Sequence, residues 1–283
     1  MPELSIRPML VAGPSGCGKT EVWRVAHKLY GKLVQICIVD SSHITQDGWS
    51  GSCKLTDIIG SVKNGSILVF DEFDKLCAPS FSAHGVNVSA EIQAEFLKLF
   101  EGELNADGFN SATAGYVMCG AFESLRKEKQ KSKVNTIGFS SGSGTADGNE
   151  SGNTLSLSEE DYIGFGMLTE LVGRISSKVE INELGVNEMV QIARNEHSRV
   201  SVLLQNLLNG DVKMILSDEQ IKAVAERSQE LSTGARGMLA MLEDEILGGI
   251  FATGIGNNNM SQTDKDVILV KKDARDAAQA VAM

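Results

Sequence analysis

The sequence predicts an α/β protein: a parallel five-stranded sheet between helices, followed by a smaller and mainly helical domain. Three observations carry this expectation. Five short apolar runs alternate with helical patterns through the first two thirds of the chain, a glycine-rich turn joins the first run to the first helix, and the pattern becomes almost wholly helical from about Asn182. A length of 283 residues suits two domains, at about 100–200 residues for each.

The runs are PMLVAG (8–13), LVQICIV (33–39), SILVFD (66–71), GYVMCG (115–120) and SSKVEI (176–181). Runs this apolar suit strands that are covered on both faces, as in a parallel sheet between helices. Between the first two, Val22, Val25, Ala26 and Leu29 recur at helical spacing, and Ile92, Phe96, Leu99 and Phe100 do the same before the fourth. The result is βαβ architecture. A basic run, RKEKQKSK (126–133), then leads to SSGSGTADGNESGN (140–153), whose glycine, serine and small polar residues bury too little apolar area to order themselves. A flexible insertion is therefore expected over about 126–158.

Beyond Asn182, Met189, Ile192, Ala193, Val200, Leu204 and Leu207 predict one long amphipathic helix. Ile221, Val224 and Ala225 predict a second, Leu239, Leu242 and Ile246 a third, and DVILVKK (266–272) a short late strand. The expected division is a large domain over 1–182 and a small helical lid domain over 183–283.

Composition narrows the function. Hydrophobic residues make up 42% and charged residues 22%, an ordinary globular balance. A formal charge of −11 argues against binding nucleic acid or an anionic membrane. The five cysteines are odd in number and lack C-x-x-C spacing, which fits reduced thiols in a cytoplasmic protein. The first residues, MPELSIRPML, carry no signal-peptide run, and no 18-residue apolar stretch occurs. A soluble intracellular protein is expected. The four histidines show no metal spacing, His197 reads as a packing residue, and no pattern supports Ser-His-Asp catalysis.

The chemistry concentrates in GPSGCGKT, that is Gly13, Pro14, Ser15, Gly16, Cys17, Gly18, Lys19 and Thr20. The pattern G-x-x-x-x-G-K-[ST] stands here between a predicted strand and a predicted helix, the setting in which it binds phosphates. Its glycines let backbone N–H groups turn inward, and the helix N-terminus adds positive potential. Lys19 is expected to reach the β- and γ-phosphates and Thr20 to hold Mg²⁺. Cys17 reads as a small residue within the loop. The third run ends in Asp71 and Glu72. Asp71 is the expected Mg²⁺ support, and Glu72 is placed to polarise an attacking water. ATP hydrolysis is favoured over phosphoryl transfer to a small molecule.

With these residues assembled, the sequence resembles the AAA+ ATPases, which are P-loop NTPases, and among them the ClpX-type unfoldases of the Clp protease. GPSGCGKT and DEFDK look like the two Walker motifs. EIQAEFLKLFEGEL (91–104) resembles the helix after Walker B, and VMCGAFESL (117–125) the fourth strand and its exit. EEDYIGFGMLTELVGRISSKVEINEL (159–184) resembles the segment with the arginine finger, which falls on Arg174. LSTGARGMLAMLEDEIL (231–247) resembles the sensor-2 helix, with Arg236 in the sensing position. An always-charged guanidinium suits the charge that spreads over the γ-phosphate in the transition state. Gly48, Trp49, Ser50 and Gly51 match a Gly-aromatic-x-Gly loop that lines the pore of a hexameric ring. A flat aromatic between glycines can grip many side chains. Ile137, Gly138 and Phe139 match a loop that docks on a ClpP-like peptidase, and apolar side chains among flexible residues need a partner to bury them.

The resemblance implies ATP and Mg²⁺ as cofactors, a homo-hexamer, unfolded or tagged protein substrates and a peptidase partner. It also has departures. Only twelve residues precede Gly13, and no cysteine quartet suggests the family's zinc-binding N-terminal domain. Delivery through adaptors and selection of adenine are therefore expected to differ. NADGFNSATAG (105–115) is short and lacks basic residues where the family has a longer basic pore-entrance loop. Two alternatives stand beside the unfoldase reading. One is a remodelling ATPase that never meets a peptidase, and the other is a nucleotide-binding scaffold with negligible hydrolysis.

Overall fold

The computed structural model describes residues 8–45, 53–106, 108–137, 156–195, 198–207, 212–214, 217–253 and 269–271. The chain forms two compact units, one of residues 1–14 and 18–182 and the other of residues 15–17 and 183–283. The first contains, in order, β1 (Met9–Ala12), α1 (Lys19–Tyr30), β2 (Ile36–Asp40), α2 (Leu55–Gly60), β3 (Ile67–Asp71), α3 (Asp74–Cys77), α4 (Val88–Phe100), β4 (Gly115–Gly120), α5 (Glu123–Ile137), α6 (Glu159–Phe165), α7 (Thr169–Arg174) and β5 (Ser177–Glu180).

The five strands form one sheet in the order β2-β3-β4-β1-β5, and every pairing is parallel. Four lie within the predicted runs and β2 runs one residue past its own, to Asp40, and their burial follows their place in the sheet. β4 is buried throughout, β1 and β3 nearly so, while the edge strands β2 and β5 are only partly covered. Alternate residues feed two cores. Leu10, Leu68, Phe70, Tyr116 and Met118 face one layer with α2, α4 and α7, where Phe96 meets Phe70 and Phe73 edge-on at centroid distances of 4.7 and 5.2 Å. Val11, Val69, Val117 and Cys119 face the other, against Trp23 and Ala26 of α1.

Helix α1 forms where expected, but it buries a different face. Trp23 and Ala26 pack toward the sheet, whereas Val22, Val25 and Leu29 are 58%, 44% and 68% exposed. Residues 126–137, expected to open a flexible insertion, are helical, and 138–155 lie outside the described residues. The stretch 126–133 lies inside α5, where a Glu123–Lys127 pair at 3.5 Å spans one turn and no glycine or proline intervenes before Gly138. Ile137 is the last residue of that helix rather than part of an open loop. Residues 105–106 and 108–115 are tied down by side chains. Asn64 Oδ1 accepts from Asn110 N–H at 2.7 Å, Asn105 Oδ1 accepts from Ser111 N–H at 3.0 Å, and Phe109 is buried.

The second unit contains α8 (Val186–Arg194), α9 (Arg199–Leu207), β6 (Val212–Met214), α10 (Asp218–Glu230), α11 (Gly234–Thr253) and β7 (Leu269–Lys271). Its core joins Met189, Ala193, Val200, Ile221, Val224, Ala225, Met238, Leu242 and Ile246. The single long helix predicted from Met189 to Leu207 is two helices. Asn195 turns extended at the end of α8, and Ser198 donates through its hydroxyl to Ala193 O at 3.0 Å while accepting from Ser201 N–H at 3.1 Å. Serine and asparagine offer the backbone such alternatives to a continuous helix. The late strand is present as β7, paired antiparallel with β6, a partner the sequence did not suggest. Among the described residues no helix is long and apolar enough to cross a membrane.

Candidate nucleotide site

Strands β1, β4 and β3 lie side by side, and their carboxyl ends present the groups that matter. This is the end of an open parallel sheet at which α/β proteins bind ligands. Gly13 follows β1 and donates its N–H to Gly120 O, the last residue of β4, at 3.2 Å. The loop then turns through Gly16 (φ 75) and Gly18 (φ 95), left-handed conformations that suit glycine. Gly18 is the N-cap of α1, so Lys19 and Thr20 open the helix. Four backbone N–H groups of such a first turn lack helical partners and favour an anion.

Lys19 is buried, and its ammonium donates to Gly13 O and Pro14 O, both at 2.7 Å. The charge is thereby held over the loop it belongs to. Cys17 is 8% exposed. Thr20 is also buried, and its hydroxyl donates to Asp71 Oδ2 at 2.6 Å across 51 residues of sequence. That contact spans β4, because Asp71 ends β3 and the loop follows β1.

Asp71 Oδ1 also accepts from Glu72 N–H at 3.0 Å. Glu72 itself has φ 55, an unusual value for a side chain of its size. The cause lies in the next residue: Phe73 is fully buried and donates its N–H to Cys119 O at 2.8 Å. The chain must turn sharply between β3 and that anchor, which leaves the Glu72 carboxylate exposed above the sheet. Left-handed backbone of this kind costs roughly 1–2 kcal/mol, and such strain gathers at functional sites.

Thr20 and Asp71 offer oxygen donors only, the set that a hard cation such as Mg²⁺ takes while keeping waters and phosphate oxygens as its other ligands. Together with the glycine loop and Lys19, the residues fit a nucleotide triphosphate and its metal.

The remaining predicted residues are dispersed. Arg174 ends α7, has a side chain 58% exposed, and is ion-paired with Glu101, the C-cap residue of α4. Arg236 is exposed in the first turn of α11 in the second unit. Gly48, Trp49, Ser50 and Gly51 lie outside the described residues, as do Gly138 and Phe139. Thr45 and Cys53, which flank the first of these segments, are joined: Thr45 N–H and Oγ1 donate to Cys53 O at 2.9 and 3.2 Å.

Two further residues were not singled out from the sequence. Gln93 is 1% exposed and bonds three backbone groups, and Glu101 holds Arg174. A glutamine set beside Ile92 and Phe96 on a buried helix face was the available signal for the first. Nothing local marked the second.

Comparison with known proteins agrees with this geometry. Residues 9–140 match the family model described as "ATPase family associated with various cellular activities (AAA)". Over 276 residues the chain is 25% identical to the ATP-dependent Clp protease ATP-binding subunit ClpX 2 of Wolinella succinogenes, covering 88% of this chain and 66% of that protein. It is 28% identical over 271 residues to ClpX of Borrelia duttonii, covering 86% and 62%, and 26% identical over 277 residues to ClpX of Treponema denticola, covering 86% and 65%. The chain thus spans just under two thirds of the length of these relatives.

Proposed function

We propose, from its similarity to AAA family ATPases and ClpX proteins, that the chain is a ClpX-like AAA+ ATPase and a protein unfoldase: a homo-hexamer that hydrolyses ATP to draw unfolded or tagged polypeptide through a central pore, handing it to a ClpP-like peptidase. The observation that carries the proposal is the 2.6 Å contact from Thr20 to Asp71, which joins the head of the phosphate loop to the end of β3 and sets Glu72 beside it. The loop Gly13–Thr20 binds the triphosphate through its backbone N–H groups, with Lys19 on the β- and γ-phosphates. Thr20 and Asp71 hold Mg²⁺, which neutralises phosphate charge when bound. Glu72 orients the attacking water and accepts its proton. Arg174 serves a neighbouring subunit's phosphate, and Arg236 senses the nucleotide from the small unit.

The grip on substrate falls to Gly48–Gly51 with Trp49 as the contacting ring. The joined flanks Thr45 and Cys53 support this, because a loop pinned at its base can pass force to the sheet. Ile137, Gly138 and Phe139 dock the peptidase. A second reading, a remodelling ATPase without a peptidase, is favoured by one observation: Ile137 closes helix α5 rather than standing in an open loop.

ATP turnover with and without a permanently unfolded polypeptide tests the proposal, alongside the mass of the assembly in ATP. Hydrolysis by six-chain rings that rises when polypeptide is added supports the unfoldase. ATP binding without turnover leaves a nucleotide-responsive scaffold. Peptidase capture by the parent, lost in Phe139→Ala, separates the protease-linked motor from the stand-alone one.

A further inference from the structure

Helix α7 has six residues, too few to hold itself, and its N-cap Leu168 offers no side-chain cap. It is held from outside by α4, at both ends. At its start, Leu168 N–H donates to Gln93 Oε1 at 2.8 Å, and the Gln93 amide donates to Gly166 O at 3.0 Å. At its end, Arg174 Nη2 pairs with Glu101. Between these clamps Leu171 and Val172 are buried in the core that α4 also lines. Gln93 has a third bond, from the same amide to Leu76 O of α3 at 3.2 Å. Gly166 adds a close approach to that helix, since a Cβ there would stand 2.3 Å from Cys77 O. The segment that follows Glu72 and the helix that ends in Arg174 therefore meet on one buried side chain.

We infer that Gln93 and Glu101 are positioning residues for Arg174: α4 grips the finger helix at both ends, so that the guanidinium leaves its subunit in a set direction and stays in register with Glu72. The inference rests on the reading of Arg174 as an arginine finger. Glu101 occupies one edge of a group with five donors, and the other edge remains for a phosphate. The pair is partly exposed, with side chains 58% and 25% accessible, so it adds little to folding stability. Its contribution is direction, and small misplacements of a reacting group are expensive in rate.

The test is a mutant cycle in the full chain, reading kcat, nucleotide affinity and thermal midpoint. Glu101→Gln should lower kcat by about ten-fold while nucleotide affinity and thermal midpoint stay at the parent's values. Glu101→Asp should recover part of the loss. Gln93→Glu keeps an acceptor for Leu168 N–H but loses both donated bonds, and should lower kcat in the same way. Neither change should lower kcat further in an Arg174→Ala background, because both act through that guanidinium. A parental kcat in Glu101→Gln while Arg174→Ala is impaired overturns the positioning role, and so do losses that multiply with Arg174→Ala. Full turnover by Arg174→Ala alone overturns the finger reading and this inference with it, an outcome distinct from the other two.

Discussion

On the proposed reading, Lys19, Thr20, Asp71 and Glu72 divide one site into separable tasks. Lys19 is a buried charge over the glycine loop, whereas Glu72 is exposed and donates its N–H to Asp71. Lys19→Ala should therefore weaken nucleotide binding measured by equilibrium titration. Glu72→Gln should keep the binding and lower steady-state hydrolysis by about a hundred-fold or more. Normal turnover in Glu72→Gln would remove it from the chemistry. These residues were legible in the sequence because the motifs that carry them are contiguous. Gln93 was not, since the groups it bonds on Gly166 and Leu168 are 73 and 75 residues away. A thiol gives a second check at this scale. Burial, reinforced by Asp74, pushes the Cys77 thiol well above its ordinary value. Only the thiolate reacts, so Cys77 should resist alkylation at pH 8 in the native protein and react once it is unfolded. Rapid native labelling of Cys77 would show that α3 opens.

At the scale of elements, the five strands were readable because covered strands are continuous apolar runs. Helix faces were less so. Three of the four apolar residues that marked α1 are exposed, and Trp23 rather than Val22 joins Ala26 against the sheet. The α8–α9 break escaped because its cause is a side-chain exchange among Asn195, Ser198 and Ser201, which leaves the apolar spacing intact. Helix α6 carries a pH-dependent cap. Burial alone would raise the Asp161 carboxyl, but the Lys129 ammonium at 2.5 Å and the Ser158 hydroxyl and N–H outweigh it and hold the value below the ordinary carboxylate range. A carboxyl lowered by folding stabilises the protein above its unfolded value, and that contribution is lost as pH falls through the folded one. Asp161→Asn should accordingly lower the thermal midpoint at neutral pH, and the gap to the parent should close in acid. An equal gap at pH 7 and pH 3 would rule out this linkage.

The whole molecule is where the sequence alone says least, because the tasks proposed for Arg174 and Trp49 would exist only in a ring. Arg174 is exposed and turned to Glu101 of its own chain, which suits a group that completes a neighbour's site. Rings mixed from Arg174→Ala and Glu72→Gln subunits should therefore recover hydrolysis, because some interfaces then join an intact glutamate to an intact finger. Mixtures as inactive as their parents, with co-assembly demonstrated, would place the arginine's role within its own subunit.

Whether ATP hydrolysis pulls polypeptide can be read without knowing the natural substrate. A stable fluorescent protein tethered to a minority of subunits by a long unstructured linker presents itself to the pore by proximity. Addition of ATP should extinguish its fluorescence in parental rings. It should leave the signal intact in Glu72→Gln rings and in Trp49→Ala rings, the latter still hydrolysing ATP. Fluorescence that persists in parental rings while ATP is consumed, or that falls equally in Trp49→Ala rings, would contradict the account.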